Sequence, residues 1–211
     1  MTYSLLQGVR VLEVGNFLSA PYCTKLLADM GADVIKLEDP RKGDEARRYG
    51  PFLHDIPHPE RSGLFLYLNS SKRGVTLNIQ TPTGFGLLKD LVTHADVLVH
   101  NISPFIADGI GLNYDVLSQA NPRLVMTSVT PFGLTGEYKD YKAYDINLAA
   151  ASGLSVGFGE RDREPLSFAM PQVGYFAGMC AASATVVALM TCEESGIGQH
   201  IDISEAECIA S

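Results

Sequence analysis

The sequence predicts an α/β fold with a doubly wound, mostly parallel sheet of Rossmann-like topology. Short apolar segments alternate with helical segments along the 211 residues. The apolar segments lack the alternation of apolar and polar residues that a strand with one solvent-exposed face has. This indicates parallel strands covered by helices on both sides. No internal repeat or low-complexity segment interrupts the pattern. We therefore expect one large domain over residues 1–211.

The alternation of strands and helices begins with a βαβ unit and continues along the chain. It consists of a strand at 9–14, a helix at 20–30 and a strand at 33–37. Residues 41–63 have no periodicity and predict a long loop, of the kind that is often functional or mobile. We expect further strands at 75–79, 97–100, 124–130 and 199–203, and further helices at 83–93, 112–117, 145–152 and 176–194.

Composition and charge limit the classes of partner. With 46% hydrophobic and 19% charged residues, the chain is typical of globular proteins that bury a sizeable core. Its net charge of −8 argues against nucleic acid or an anionic membrane surface, because both require a broad positive field. A small polyanionic ligand needs only local cations, such as those of Lys72 and Arg73.

The cysteines and the apolar segments indicate a cytoplasmic protein. The four cysteines have neither metal-binding spacing nor a disulfide framework, and no basic start followed by an apolar stretch predicts a secretory signal. The longest uncharged run, at 165–192, is interrupted by Pro171 and rich in small residues. We expect it to form a core helix and not a membrane span.

Three segments in a fixed order carry a family resemblance. The first runs from Gly8 to Glu38, the second begins Asn69-Ser-Ser-Lys-Arg-Gly, and the third is Glu194-Ser-Gly-Ile-Gly-Gln-His-Ile. Together they resemble the class III CoA-transferase family, which includes carnitine and formyl-CoA transferases and methylacyl-CoA racemases. Members of that family are much longer than this chain. The resemblance implies that residues 1–211 are the N-terminal, CoA-binding portion and that a C-terminal portion is missing.

The resemblance also implies an activity and its participants. The expected reaction moves CoA between an acyl-CoA and a carboxylate acceptor, with coenzyme A bound as the acyl-CoA substrate and with no metal. The expected assembly of the full-length protein is a homodimer. The turn after the first strand lacks the three spaced glycines of a dinucleotide site, which disfavours NAD.

Eight residues are implied to bind CoA. In the family, the turn after the first strand lines the thioester end, a lysine contacts CoA, and a turn after a later strand packs on the adenine. A lysine suits a phosphate, and strand ends are where open α/β sheets bind ligands. At each position a purely structural turn or surface role is the alternative. The residues are Phe17, Leu18, Ser19, Lys72, Asn101, Ile102, Lys142 and Tyr144.

The catalytic carboxylate of the family has no counterpart at the expected position. In class III transferases an aspartate attacks the acyl-CoA carbonyl and then carries CoA as a thioester. Alignment by the neighbouring glycines places this aspartate at Gly174, or at Tyr175 if the match slips by one residue. Neither is an acid. Cys180 is expected to be inert packing, and the acids at 160, 162 and 164 are expected to be solvated.

Three functions remain open from the sequence. The first is a CoA-transferase with a divergent or absent nucleophile. The second is a non-catalytic CoA-binding half of a fused or paired transferase. The third, a racemase or lyase, is disfavoured because Tyr144 stands where the racemase branch has its catalytic histidine. Asp145 is expected to cap a helix or to bond locally.

Overall fold

The sheet is entirely parallel and doubly wound, as predicted. The computed structural model describes residues 4–160 and 162–210. The strands are β1 (Arg10–Val14), β2 (Asp33–Glu38), β3 (Lys72–Thr76), β4 (Val97–His100), β5 (Val125–Thr130) and β6 (His200–Ser204). They lie in the order β3-β2-β1-β4-β5-β6. From β1 the chain adds strands toward one edge of the sheet up to β3, and from β4 it adds strands toward the other edge. Doubly wound folds bind ligands at this switch point between β1 and β4.

Helices cover both faces of the sheet. They are α1 (Ser19–Asp29), α2 (Gly63–Asn69), α3 (Pro82–Val92), α4 (Pro104–Ile110), α5 (Tyr114–Ala120), α6 (Asp145–Ala151), α7 (Val173–Ser195) and α8 (Glu207–Ala210), with 3-10 turns at Glu45–Arg48, Leu53–Asp55 and Leu154–Gly157. Neighbouring strand residues point to opposite faces. Val11 therefore packs under α1 and α7, whereas Leu12 packs under α3 and α5.

The longest helix, α7, packs on α1 through small residues. A Cβ added to Gly178 would lie 2.7 Å from the Ser19 backbone oxygen, so only glycine allows this approach of the two helices. Thr185 on the same buried face contacts Thr127 of β5 through their hydroxyls at 2.8 Å. By length and composition α7 would suffice to cross a membrane. Its other face exposes Val187 and Met190.

The structure corrects several element boundaries. β3 begins at Lys72, so Lys72 and Arg73 are part of the strand and do not precede it. This strand is at the sheet edge and its residues are largely exposed, which is why it lacks the apolar pattern of a covered strand. Two short helices, α2 and α4, were not predicted, since seven residues give too few turns for a clear helical period. α7 begins three residues before the predicted start, which places Gly174 in its first turn.

A buried ion-pair network ties the first three strands together. The Glu13 carboxylate of β1 lies 2.5 Å from the Lys36 ammonium of β2 and 2.8 Å from the Lys72 ammonium of β3. Thr24 of α1 donates a third hydrogen bond to it at 2.6 Å. Burial alone would raise the pKa of Glu13, but attraction to the two ammonium groups lowers it to about 2.

The same network fixes the turn after β1. Lys36 also contacts Asp44 at 2.6 Å and donates to the Gly15 carbonyl oxygen at 3.1 Å. Asp44 in turn accepts a hydrogen bond from the Phe17 N–H at 3.0 Å. Phe17 has a φ of 64°, a left-handed conformation that is unfavourable for a non-glycine residue. The contact from Asp44 therefore stabilises a turn that would otherwise adopt a different conformation.

We predict that Glu13→Gln lowers the free energy of unfolding by about 3–5 kcal/mol at pH 7, because the buried Lys72 ammonium loses its counter-charge and the Lys36 ammonium keeps only that of Asp44. The pKa of Glu13 is lower in the folded than in the unfolded protein. Its stabilisation is therefore complete above pH 4.5 and is lost as the pH falls toward 2. Urea unfolding between pH 2 and 7 measures both effects.

The control is Glu137→Gln, a change of the same chemistry on an exposed residue. It should leave both the stability and its pH dependence close to those of the parent. An unchanged acid dependence in Glu13→Gln would contradict the stabilising role of the network.

Candidate active site

The candidate site lies at the carboxyl ends of β1 and β4, at the switch point of the strand order. Asn101, which follows β4, joins the two strand ends with its side-chain amide. It accepts a hydrogen bond from the Asn16 N–H at 2.9 Å and donates one to the Asn16 carbonyl oxygen at 2.7 Å. It also donates to the Ser19 hydroxyl at 3.2 Å. Asn101 therefore sets the spacing between the two loops that border the site.

A cleft of about 630 Å³ opens beside this junction. Its apolar surface comes from Leu77 and Ile79 after β3 and from Ile102 and residues of α4. Its cationic side chains are Lys42 and Lys142, and the carboxylates of Glu38, Asp39, Asp44 and Glu45 also line it. Glu38, Asp39 and Asp44 are neutralised by ion pairs with Arg47, Arg41 and Lys36. Such a cleft can hold a flat apolar group on one side and phosphate groups near the lysines.

A smaller cavity of about 140 Å³ adjoins the cleft. Asn16, Asn101 and Tyr144 line both spaces, so the two spaces adjoin at these residues. The other residues that line the small cavity are Phe17, Leu18, Ser19, Ala143, Asp145, Leu148, Pro171, Val173, Gly174 and Glu205.

The side chain of Leu18 fills the space next to Gly174. An ideal Cβ on Gly174 would lie 2.7 Å from Leu18 Cδ2 and 2.8 Å from Leu18 Cγ. Leu18 is itself buried, with 3% of its surface exposed, and packs with Leu64 and Leu68. A residue with a side chain at position 174 would therefore require Leu18 to move.

Tyr175 points away from the small cavity. Its ring packs edge-on against Tyr22 at a centroid distance of 4.8 Å, within the same apolar cluster as Leu18. Burial and the neighbouring phenols of Tyr67 and Tyr22 raise the pKa of Tyr175. Its hydroxyl is therefore a poor nucleophile at neutral pH.

Two carboxyl groups, those of Asp145 and Glu205, line the small cavity. Asp145, at the start of α6, accepts a hydrogen bond from the Val173 N–H at 2.8 Å and so caps the amino end of α7. Glu205 directly follows β6, and the Ser19 hydroxyl lies close enough to its carboxylate to act on its pKa. Burial raises the pKa of both groups, and for Glu205 the charge of Asp145 adds to the effect.

Lys72 lies outside both spaces. Its ammonium contacts Glu13, the Pro21 carbonyl oxygen at 2.8 Å and the Asn69 side-chain oxygen at 3.1 Å, and its side chain is 1% exposed. These three partners use all three donors of an ammonium group. The contact between Lys72 and CoA stays a prediction, and it would require this network to open.

The structure brings the other seven predicted residues together. Phe17, Leu18 and Ser19 line the small cavity, Ile102 and Lys142 line the cleft, and Asn101 and Tyr144 line both. Their contact with CoA is a prediction that this proximity permits. The expectation that Asp145 caps the helix that it opens, or bonds locally, is wrong, because its carboxylate caps α7 through Val173, 28 positions away.

Sequence reasoning missed Asn16, Lys42 and Glu205. Glu205 directly follows β6, Asn16 follows β1 after one residue, and Lys42 follows β2 after a short turn. The rule that ligands bind beyond the carboxyl ends of such strands would have found them if it had been applied to every strand. Within residues 4–160 and 162–210, we find no group of three or more His, Cys, Asp or Glu side chains arranged to hold a metal ion.

Comparisons with known proteins agree on one family. The model of CoA-transferase family III matches residues 6–211. Succinate–glutarate CoA-transferase of Agrobacterium fabrum is 38% identical over 204 residues, which cover 94% of this chain and 50% of that protein. The succinyl-CoA–L-malate CoA-transferase beta subunit of Chloroflexus aurantiacus is 36% identical over 207 residues, covering 97% and 50%.

A solved structure has the same fold. The crystal structure of a CAIB/BAIF family protein from Brucella suis matches with a TM-score of 0.89 and 34% identity, covering 98% of this chain and 55% of that one. This chain thus spans about half the length of the curated relatives that it matches.

We predict that Gly174→Ala lowers the free energy of unfolding by roughly 1–3 kcal/mol, because the added methyl group overlaps Leu18. In a Leu18→Ala background the same change should be neutral or stabilising, since the methyl group then has space. A double-mutant cycle of urea unfolding measures this coupling, which we expect at about 0.5–3 kcal/mol.

Gly86→Ala in α3 is the matched control. A Cβ at Gly86 would have no heavy atom of another part of the chain within 4 Å. Gly86→Ala should therefore raise the free energy of unfolding by roughly 0.5–1 kcal/mol, because glycine is unfavourable within a helix. If Gly174→Ala stabilised the protein to the same extent, Leu18 would not occupy the space as described.

Proposed function

Because this chain belongs to CoA-transferase family III, we propose that it binds the acyl-CoA in a reaction that moves CoA between an acyl-CoA and a carboxylate acceptor. The observation that carries this proposal is the pair of adjoining spaces at the carboxyl ends of β1 and β4. One is large enough for a nucleotide and the other for a small acyl group. The relatives are named as CoA-transferases for succinate and glutarate and for succinyl-CoA and L-malate, which agrees with the proposal.

The proposed placement follows the chemistry of each space. The adenine packs on the apolar side of the cleft near Ile102, and the phosphate groups lie near Lys42 and Lys142. The pantetheine arm passes between the loops that Asn101 joins. The acyl group then lies in the small cavity beside Gly174 and Glu205. On the same resemblance we propose that the whole protein is a cytoplasmic homodimer.

A second candidate is a non-catalytic CoA-binding half of a paired transferase. The packing of Leu18 against Gly174 favours it, because the space for the family's nucleophile is filled with apolar atoms. The Chloroflexus relative is named as a beta subunit, so a paired transferase has a precedent among the proteins that this chain resembles. Thioester exchange by the parent protein distinguishes the two candidates, since only a catalytic protein exchanges.

We predict that Lys142→Ala weakens the binding of acyl-CoA and of free CoA by roughly 10- to 150-fold, the equivalent of one charge-assisted hydrogen bond. Calorimetric titration of acetyl-CoA and of CoA measures this change. The loss should shrink with added salt, because the contact is electrostatic.

Lys139→Ala is the control for this variant. Lys139 lies near Lys142 in the chain but pairs with Asp140 outside the cleft. It should bind CoA as the parent does. Equal losses in both variants would point to a general charge effect, and no binding by the folded parent would refute the CoA site.

A further inference from the structure

We propose that Glu205 is the carboxylate that reacts with the acyl-CoA thioester in this chain. The inference rests on the transferase function proposed above and names the residue that performs its covalent step. Without a carboxylate at 174 or 175, the reaction needs another nucleophile that lines the same cavity. Among the residues that the structure describes, Asp145 and Glu205 are the carboxylates that line it.

The position of Glu205 suits a reacting group. It directly follows β6, and its backbone N–H bonds to the Thr130 carbonyl oxygen at 2.9 Å, which holds it at the carboxyl edge of the sheet. The Ser19 hydroxyl lies beside its carboxylate and favours the ionised form, and Ser19 accepts a hydrogen bond from Asn101 at 3.2 Å. The carboxylate is thereby held in the cavity by residues that already define the site.

Asp145 is the weaker candidate because its oxygen atoms are already in use. The backbone N–H of Val173 bonds to its carboxylate at 2.8 Å, and the neighbouring N–H groups of Gln172 and Gly174 at the amino end of α7 also favour its ionised form. An attack by Asp145 would weaken this cap of α7. Glu205 caps no helix, and its polar neighbour Ser19 is a hydroxyl that can rotate.

The environment of Glu205 also favours nucleophilic attack. Burial and the charge of Asp145 raise its pKa, so the ionised carboxylate is more basic than an exposed one and a better nucleophile. The rate of exchange should then increase with pH as Glu205 loses its proton. The acids at 160, 162 and 164 are exposed on a separate loop and do not line the cavity, as expected.

The proposed step balances without a further reactant. A Glu205 carboxylate oxygen bonds to the thioester carbonyl carbon and the C–S bond breaks. The CoA thiolate departs, and a mixed anhydride between Glu205 and the acyl group is formed. The thiolate then attacks the Glu205 carbonyl carbon, which releases the acyl group as a carboxylate and leaves a Glu205–CoA thioester. The acceptor carboxylate reverses both steps, and Glu205 is regenerated.

The test is chemical trapping of the Glu205–CoA thioester. The polypeptide in its natural length is incubated with acetyl-CoA and quenched with hydroxylamine, which converts the thioester to a hydroxamate on the residue that carried CoA. Peptide mass spectrometry then locates the hydroxamate. We expect it on Glu205 in the parent and in Glu207→Gln, an exposed neighbour that serves as the matched control.

The variant Glu205→Gln completes the test. It should lose the hydroxamate and the exchange of radiolabelled acetate into acetyl-CoA by at least a hundredfold, while it binds acetyl-CoA with unchanged affinity in calorimetry. Exchange that persists in Glu205→Gln, or a hydroxamate on another residue, would overturn the inference. Acetyl-CoA binding by the parent without a hydroxamate would overturn it as well but leave the CoA site intact, whereas a parent that binds no CoA would refute both.

Discussion

The buried carboxylate of Glu13 is the constraint on which the site depends. It lies in the first strand and holds ammonium groups from the next two strands of the sheet, Lys36 and Lys72. Through Lys36 it also fixes Asp44, which holds the backbone of Phe17 in an unfavourable conformation. The charges are mutually neutralised, so the network can be buried without an isolated ion. The turn that borders both the cleft and the small cavity is thus positioned from beneath, by side chains that no ligand needs to touch.

This network explains why some features could be predicted from the sequence and others could not. The covered strands are continuous apolar runs, and the alternation of strands and helices indicates that the strands are parallel. Both features are visible in neighbouring residues of the sequence and could therefore be predicted. The role of Lys72 is not local, because its partners are 59 and 51 positions away in the chain, at Glu13 and Pro21. A lysine at the start of an exposed edge strand has the same sequence pattern whether it faces solvent or a buried carboxylate.

The contact between Leu18 and Gly174 is a second long-range feature. The sequence identifies Gly174 as a departure from the family pattern and Leu18 only as a residue implied to bind CoA. Only the structure connects them, since the Leu18 side chain occupies the volume that a side chain at 174 would need. The large side chain of Leu18 fills the space that Gly174 leaves, so the α1–α7 interface is packed like a filled core.

The carboxyl edge of a parallel sheet allows a reacting group to come from more than one element. The amino end of α7 and the end of β6 both line the small cavity, the first at Gly174 and the second at Glu205. A carboxylate can therefore enter this cavity from either element while the sheet, the turn after β1 and the cleft stay the same. Because the cavity is bordered by Ser19 and Asn101 on the Glu205 side, a carboxylate there is held by polar partners. On the Gly174 side it would face the apolar Leu18, which offers no hydrogen bond. The arrangement of polar and apolar walls thus favours β6 over α7 as the source of the nucleophile in this chain.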